Sequence, residues 1–174
     1  VTVYTTNLAG NSRMDVPLFK EINIDGVKVW YFPVILKSWE YSRSFHKKLA
    51  ETVEDFDIIH ADSLFRAPSA LGAYYAKKLK KPFVMSPRGI LMKEPLLRRH
   101  PIIKKIYLDV VEKNNLRQAD LIHFTSEIEK REYLEQRLPL KQAIISPNGI
   151  DDETFKDLPG KGFFREKYGL KNKK

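Results

Sequence analysis

The stretch that most constrains the fold runs over residues 57–91, DIIHADSLFRAPSALGAYYAKKLKKPFVMSPRGIL. It reads as strand, helix, strand. Asp57-Ile58-Ile59-His60 is a short apolar run closed by a polar residue, and Phe83-Val84-Met85 is a second. Between them Pro68 opens a helical pattern, since proline suits the first turn, where its missing N–H costs nothing. Ala70, Leu71, Ala73, Tyr74, Tyr75 and Leu79 give this helix a small and aromatic face. Lys77, Lys78, Lys80 and Lys81 crowd its last turn, where positive charge suits the helix dipole. Pro82 then ends it. Two strands joined by a helix make a βαβ unit, with a parallel pair and a right-handed crossover. In open parallel sheets ligands bind just beyond the carboxyl ends of the strands. That rule places His60 to Ser63 and the turn Ser86-Pro87-Arg88-Gly89 on one rim.

The flanking segments continue the alternation. Val1-Thr2-Val3-Tyr4-Thr5-Thr6 is β-branched and reads as a strand, and residues 7–17 as a polar loop. Strands are expected over residues 19–24 and 27–32, joined at Asp25-Gly26. Ser42 or Ser44 can cap a helix running to about residue 54, with Phe45, Leu49 and Val53 on one face. Residues 94–117 read as mostly helical, interrupted at Pro95 and Pro101. Ile102, Ile103, Ile106, Tyr107, Val110 and Val111 mark an apolar face there; Arg98, Arg99, Lys104 and Lys105 mark a basic one. A strand over 120–124 leads to Ser126 and Glu129, spaced as a capping box, and a helix to about residue 137. A strand over 142–146 runs into Pro147-Asn148-Gly149-Ile150-Asp151. A short helix over 163–168 closes at Gly169, and a basic tail occupies residues 171–174. The expected class is α/β, a doubly wound Rossmann-like parallel sheet.

At 174 residues with 43% apolar content the chain can bury one core. It has no cysteine, which excludes disulfides and thiolate chemistry. His46, His60, His100 and His123 show no metal-ligand spacing, so no metal is expected. The formal charge of +9 permits nucleic acid, an anionic membrane surface or phosphorylated ligands, or marks a lysine-rich solvated surface. RNP-type aromatics, a GXXG loop and zinc spacing are all missing, so nucleic acid is not the expected partner. The phosphate-binding patterns G-x-G-x-x-G and G-x-x-x-x-G-K-[ST] do not occur either. No apolar run approaches the roughly 20 residues of a membrane span, and no signal-peptide pattern opens the chain. A cytoplasmic location is the expectation.

Several pieces taken together, in order, resemble glycosyltransferase family 4, in particular the N-terminal domain of its two-domain GT-B fold. They are Val1-Thr2-Val3-Tyr4-Thr5, Asp25-Gly26-Val27-Lys28-Val29 and Asp57-Ile58-Ile59-His60. Lys81-Pro82-Phe83-Val84 with Ser86-Pro87-Arg88-Gly89 follow, then Ala119-Asp120-Leu121-Ile122-His123-Phe124-Thr125-Ser126-Glu127. Pro147-Asn148-Gly149-Ile150-Asp151 and Phe164-Arg165-Glu166-Lys167-Tyr168-Gly169-Leu170 complete the set. The resemblance implies a domain over residues 1–158 that lacks its first strand and glycine-rich turn. It implies that residues 159–174 begin a linker to an absent, donor-binding domain. The parent would be a retaining transferase that needs no metal or cofactor and takes a UDP- or GDP-sugar. It would pass the sugar to a glycan or lipid-linked acceptor, and this half is not expected to turn over alone. The alternative from another class is a non-catalytic basic α/β module that binds RNA or an acidic partner.

Each candidate residue carries two readings. Many relatives have histidine where Arg88 stands. Arginine stays protonated and cannot act as a base, but it can bind a phosphate or carboxylate in a fork geometry; otherwise it is a rim arginine in a structural ion pair. Gly89 lets backbone approach a ligand, or is a plain turn glycine. His60 is a sugar-hydroxyl contact or a satisfied core histidine, and Asp62, Ser63 and Ser86 share its rim. Ser126 is a helix cap, beside Thr125, at a helix N-terminus that can also contact an anion. Asn148 and Gly149 line the cleft or form an ordinary turn, and His123 reads as structural. The basic segment over 98–105 either lies on an anionic membrane or is an ordinary core-packed amphipathic helix, the latter being preferred.

Overall fold

The computed structural model describes residues 1–98 and 100–170; Arg99 of the expected basic face and the tail over 171–174 lie outside the described residues. Strand β1 is Thr2–Thr6, followed by a small hairpin of β2 (Leu8–Ala9) and β3 (Ser12–Arg13). That hairpin departs from the loop expected over residues 7–17. Its cause is the two-residue turn Gly10-Asn11, where Gly10 takes φ 60° and so matches the twist of the paired strands. Strands β4 (Glu21–Ile24) and β5 (Val27–Phe32) pair antiparallel about Asp25 and Gly26, whose φ values of 50° and 82° fit the same logic.

Helix α1 (Arg43–Thr52) is capped by Ser42, whose hydroxyl accepts from the Phe45 N–H. Its buried face carries Phe45 and Leu49, and Val53 extends it. The central unit is β6 (Ile59–Asp62), α2 (Ala67–Leu79) and β7 (Phe83–Ser86), with Ile59 opposite Phe83 and Asp62 opposite Ser86. Pro68 sits in the first turn of α2, and Lys80 turns left-handed (φ 53°) to end it. The β6 ladder begins at Ile59, two residues after the expected start, because the Pro82 carbonyl takes the Ile59 N–H.

Residues 93–118 differ more. Helix α3 (Lys93–Leu97) absorbs Pro95 within its first turn, and Pro101 opens α4 (Pro101–Tyr107). A π-helical turn over Leu108–Glu112 leads into α5 (Lys113–Gln118). Leu108, Glu112 and Leu116 are the buried side of this run. The expected core-packed face is therefore wrong for Ile102, Ile103, Ile106 and Val110, which are 59–74% exposed. Both stripes have helical spacing, and periodicity alone does not tell which one meets the core.

Strand β8 (Leu121–Phe124), helix α6 (Glu127–Glu135), strand β9 (Ala143–Ile145) and the short α7 (Phe163–Lys167) complete the order. The strands form two main sheets, β1-β5-β4 and the all-parallel β6-β7-β8-β9. The larger core joins Phe83, Met85, Ile122 and Phe124 of the parallel sheet to Ala73, Ala76, Leu116 and Tyr133 of the helices. A second cluster joins Phe32, Phe45, Leu49, Val53 and Tyr75. The architecture is the α/β class read from the sequence, and its parallel strands deliver their carboxyl ends to one side.

Candidate functional site

Register decides which side chains meet at that end. Ser86 lies opposite Asp62, and the β7–β8 pairing of Met85 with Ile122 sets His123 beside Ser86. His60 is two residues before Asp62, hence on the same face of the sheet. The result is a hydrogen-bonded row. His60 Nε2 is 2.7 Å from Ser86 Oγ, and Ser86 Oγ is 2.8 Å from His123 Nδ1. His123 Nε2 is 3.0 Å from the Ser146 carbonyl oxygen. That carbonyl can only accept, so Nε2 of His123 carries the proton and Nδ1 accepts from the Ser86 hydroxyl. Ser86 Oγ in turn accepts from His60 Nε2–H, which makes Nδ1 the acceptor nitrogen of neutral His60. Burial is the main cause that holds the His60 pKa below its ordinary value; His123 and Arg88 act the same way, and Asp62 opposes them. His123, read from sequence as structural, thus belongs to the same row as His60 and Ser86.

Arg88 follows β7 in the left-handed region (φ 55°), with Gly89 at φ 76°. The guanidinium spans the rim. Its Nε donates to Asp62 Oδ1 at 2.9 Å, and its Nη1 donates to Asn148 Oδ1 at 2.6 Å. Arg88 is therefore in an ion pair, anchored through two of its three guanidinium nitrogens, and its side chain is 34% exposed. Asn148 is brought to the cluster; Gly149 has open space around its α-carbon.

The turn is held from below by Glu129, 3% exposed. Its Oε1 accepts from the Gly89 N–H at 2.6 Å, and its Oε2 from the Thr125 N–H at 2.7 Å and hydroxyl at 2.8 Å. Ser126 does cap α6, accepting from the Glu129 N–H at 3.2 Å. The capping-box spacing thus finds Glu129 but misassigns its carboxylate, which ties two rim loops together instead of reaching back to Ser126. Sequence reasoning misses Glu112. Fully buried, it accepts from the Phe65 N–H at 2.6 Å and from Asn115 Nδ2 at 2.9 Å, and so fixes the loop after β6. Burial raises its pKa, against the opposing effect of those two donors. Its sequence signal was a carboxylate on the stripe Leu108, Glu112, Leu116. Ser63 and Phe65 in that loop take φ 68° and 62°, a conformation that non-glycine residues keep only when neighbours hold it.

The arrangement offers a permanent cation at the centre of the rim, hydroxyl and carboxylate partners beside it, and an imidazole acceptor. A doubly wound α/β domain with its polar side chains gathered at the strand carboxyl ends belongs to the Rossmann-like class, in which ligands commonly bind at that end. A family model described as Glycosyltransferase Family 4 matches residues 1–154, and the chain belongs to that family.

Two solved structures of an Anabaena protein are similar in fold. Alr3699/HepE in complex with UDP-glucose aligns at TM-score 0.57 and 18% identity, over 84% of this chain and 38% of that one. The same protein in complex with UDP aligns at TM-score 0.48 and 18% identity, over 82% and 36%. The chain thus spans well under half the length of the solved chains it matches. No curated protein matches it by sequence. The fold is that of the N-terminal domain of GT-B glycosyltransferases, as the resemblance implied.

Proposed function

We propose that this chain is the acceptor-side domain of a retaining hexosyltransferase that takes a UDP- or GDP-sugar and glycosylates a glycan or lipid-linked acceptor. The observation that carries this reading is Arg88, held by Asp62 and Asn148 at the centre of the strand-end rim in a glycosyltransferase family 4 domain. Breaking the bond from the sugar to the diphosphate leaves negative charge on the departing oxygens. A fixed cation stabilises that charge without reorganising at the moment of reaction. Asp62 and Asn148 set the direction of the fork; His60, Ser86, Ser126 and the Gly89 backbone supply polar contacts for sugar or acceptor hydroxyls, with Gly149 in the loop beyond Asn148. Most of the donor grip belongs to a second domain joined through a linker that starts near residue 159, so the 174-residue chain does not turn over alone. In the intact enzyme Arg88→Ala lowers kcat on the order of a hundredfold, the loss typical of removing one donor from a charge-stabilising site. An unchanged kcat removes Arg88 from the mechanism.

A peripheral place at the cytoplasmic face of a membrane fits the same reading. Ile102, Ile103, Ile106 and Val110 share one exposed helical face, beside Lys105 and Arg98. Among the described residues no helix is long and apolar enough to cross a membrane. An apolar face with flanking cations instead suits insertion into the headgroup boundary. Co-sedimentation should be stronger with vesicles containing phosphatidylglycerol than with phosphatidylcholine alone. Equal partitioning sinks this part of the reading.

A further inference from the structure

One row of hydrogen bonds crosses the whole parallel sheet near its carboxyl end. It starts at His60 on β6, passes Ser86 on β7 and His123 on β8, and stops at the Ser146 carbonyl just beyond β9. Hydroxyl and imidazole groups can exchange donor and acceptor roles, so a row built from them alone has no fixed direction. This row has one, because its last member is a carbonyl and only accepts. Reversal would set the lone pair of His123 Nε2 against the Ser146 oxygen at 3.0 Å. Ser86 is fully buried, so its hydroxyl has no water to turn to instead. The far end of the sheet therefore decides which nitrogen of His60 is free of its proton.

That nitrogen, Nδ1, makes no hydrogen bond among the described residues, and the His60 side chain is 45% exposed. It stands one carboxylate away from the rim cation. Asp62 Oδ1 is 2.9 Å from Arg88 Nε and 3.9 Å from His60 Nε2. Protonating His60 leaves the row intact, since Nε2–H goes on donating to Ser86 and the new proton sits on Nδ1. His123 has no such freedom: a proton on its Nδ1 would meet a Ser86 oxygen that already receives one from His60. Nδ1 of His60 is thus the titrating atom. The charged and titratable groups that face His60 are Asp62, His123 and Arg88. Burial holds its pKa below the ordinary value, Asp62 works against that, and His123 and Arg88 work with it. Nδ1 is then an unprotonated acceptor at neutral pH.

We infer that His123 is a positioning residue for transfer: acting through Ser86, it keeps Nδ1 of His60 free to accept the hydrogen bond of the acceptor hydroxyl. That bond turns a lone pair of the hydroxyl oxygen toward the sugar. The role given to Nδ1 rests on the transferase reading; the direction of the row does not.

The test uses the intact enzyme with 15N-labelled histidine, the His60 signals being identified by their loss in His60→Gln. In the parent, Nε2 stays protonated throughout an NMR titration and Nδ1 alone gains a proton at low pH. His123→Leu removes the acceptor, so Ser86 turns its hydroxyl to His60 and the tautomer reverses. With it kcat/KM for the acceptor falls on the order of tenfold, the worth of one hydrogen bond. The acid limb of the pH profile, set in the parent by protonation of Nδ1, disappears. His123→Asn, whose amide oxygen can stand where Nδ1 stood, keeps the tautomer and restores kcat/KM. A parent His60 protonated at Nδ1 overturns the inference without any variant. So does a reversed tautomer in His123→Leu with kcat/KM unchanged, or an equal loss in the leucine and asparagine variants. A parent that has the expected tautomer but transfers no sugar from any donor refutes the transferase reading, and removes the role of Nδ1 while leaving the row.

Discussion

Replacing Glu129 tests whether the rim is held in the way described. Its carboxylate is buried and accepts the Gly89 N–H at 2.6 Å and the Thr125 N–H at 2.7 Å. The Thr125 hydroxyl can turn to another partner, but the two backbone donors cannot. A hydrogen bond to a charged group contributes about 1.5–3 kcal/mol, and a buried donor left unpaired carries its full desolvation cost. Glu129→Ala should therefore lose ~3–5 kcal/mol, a large share of the ~5–15 kcal/mol typical of a folded domain. At roughly 2–4 °C per kcal/mol for a chain of this size, the melting temperature falls by about 10 °C. Glu129→Gln keeps the shape, but its amide nitrogen faces one of the two donors, so a loss of ~1–3 kcal/mol is expected. The assay is urea unfolding followed by circular dichroism, with the midpoint shifted and the slope unchanged. If the alanine variant lies within ~0.5 kcal/mol of the parent, as an ordinary surface substitution does, the carboxylate does not hold the rim.

Gly89→Ala places a Cβ at φ 76°; its nearest neighbour, Met92 Sδ at 3.6 Å, is an ordinary contact, so the cost is backbone strain of about 1–2 kcal/mol. No change in the urea midpoint would mean that the turn relaxes. The folded-state pKa of Glu112 is raised, so its contribution is fully present below the unfolded pKa and is lost as pH rises through the folded value. Glu112→Gln, with Asn115 flipped to accept from the new amide, removes that loss. The variant's stability relative to the parent should improve as pH rises, and a difference independent of pH contradicts the burial argument. In an NMR titration His60 should titrate below its ordinary value, and Asp62→Asn should lower it further, because Asp62 is the one neighbour that raises it. No change in that variant means that the ion pair with Arg88 masks Asp62 completely, and a rise contradicts the assignment of Asp62 as the raising neighbour.

Much of this was legible in the residues because local chemistry and the fold agree. Pro68, Pro82 and the two apolar runs specify the central βαβ unit. Asp25-Gly26 specifies its hairpin, and Ser42 and Ser126 cap the helices they precede. The rim followed from the parallel-sheet rule, which brought His60, Asp62, Ser86, Arg88 and Asn148 together from three separate segments. What was missed depends on long-range pairing. His123 joins the row only through the β7–β8 register, and Glu129 binds Gly89 forty positions away. Glu112 sits on an apolar stripe whose burial periodicity cannot distinguish from the exposed stripe of Ile102, Ile106 and Val110.

The most direct measurement is transfer of a labelled sugar by the full polypeptide, offered a panel of UDP- and GDP-sugars with glycan and lipid-linked acceptors. The expected product keeps the anomeric configuration of the donor, forms with the parent enzyme, and falls about a hundredfold in rate with Arg88→Ala. No transfer from any donor, together with RNA binding that weakens steeply with salt, contradicts the transferase reading and makes the basic surface the functional one.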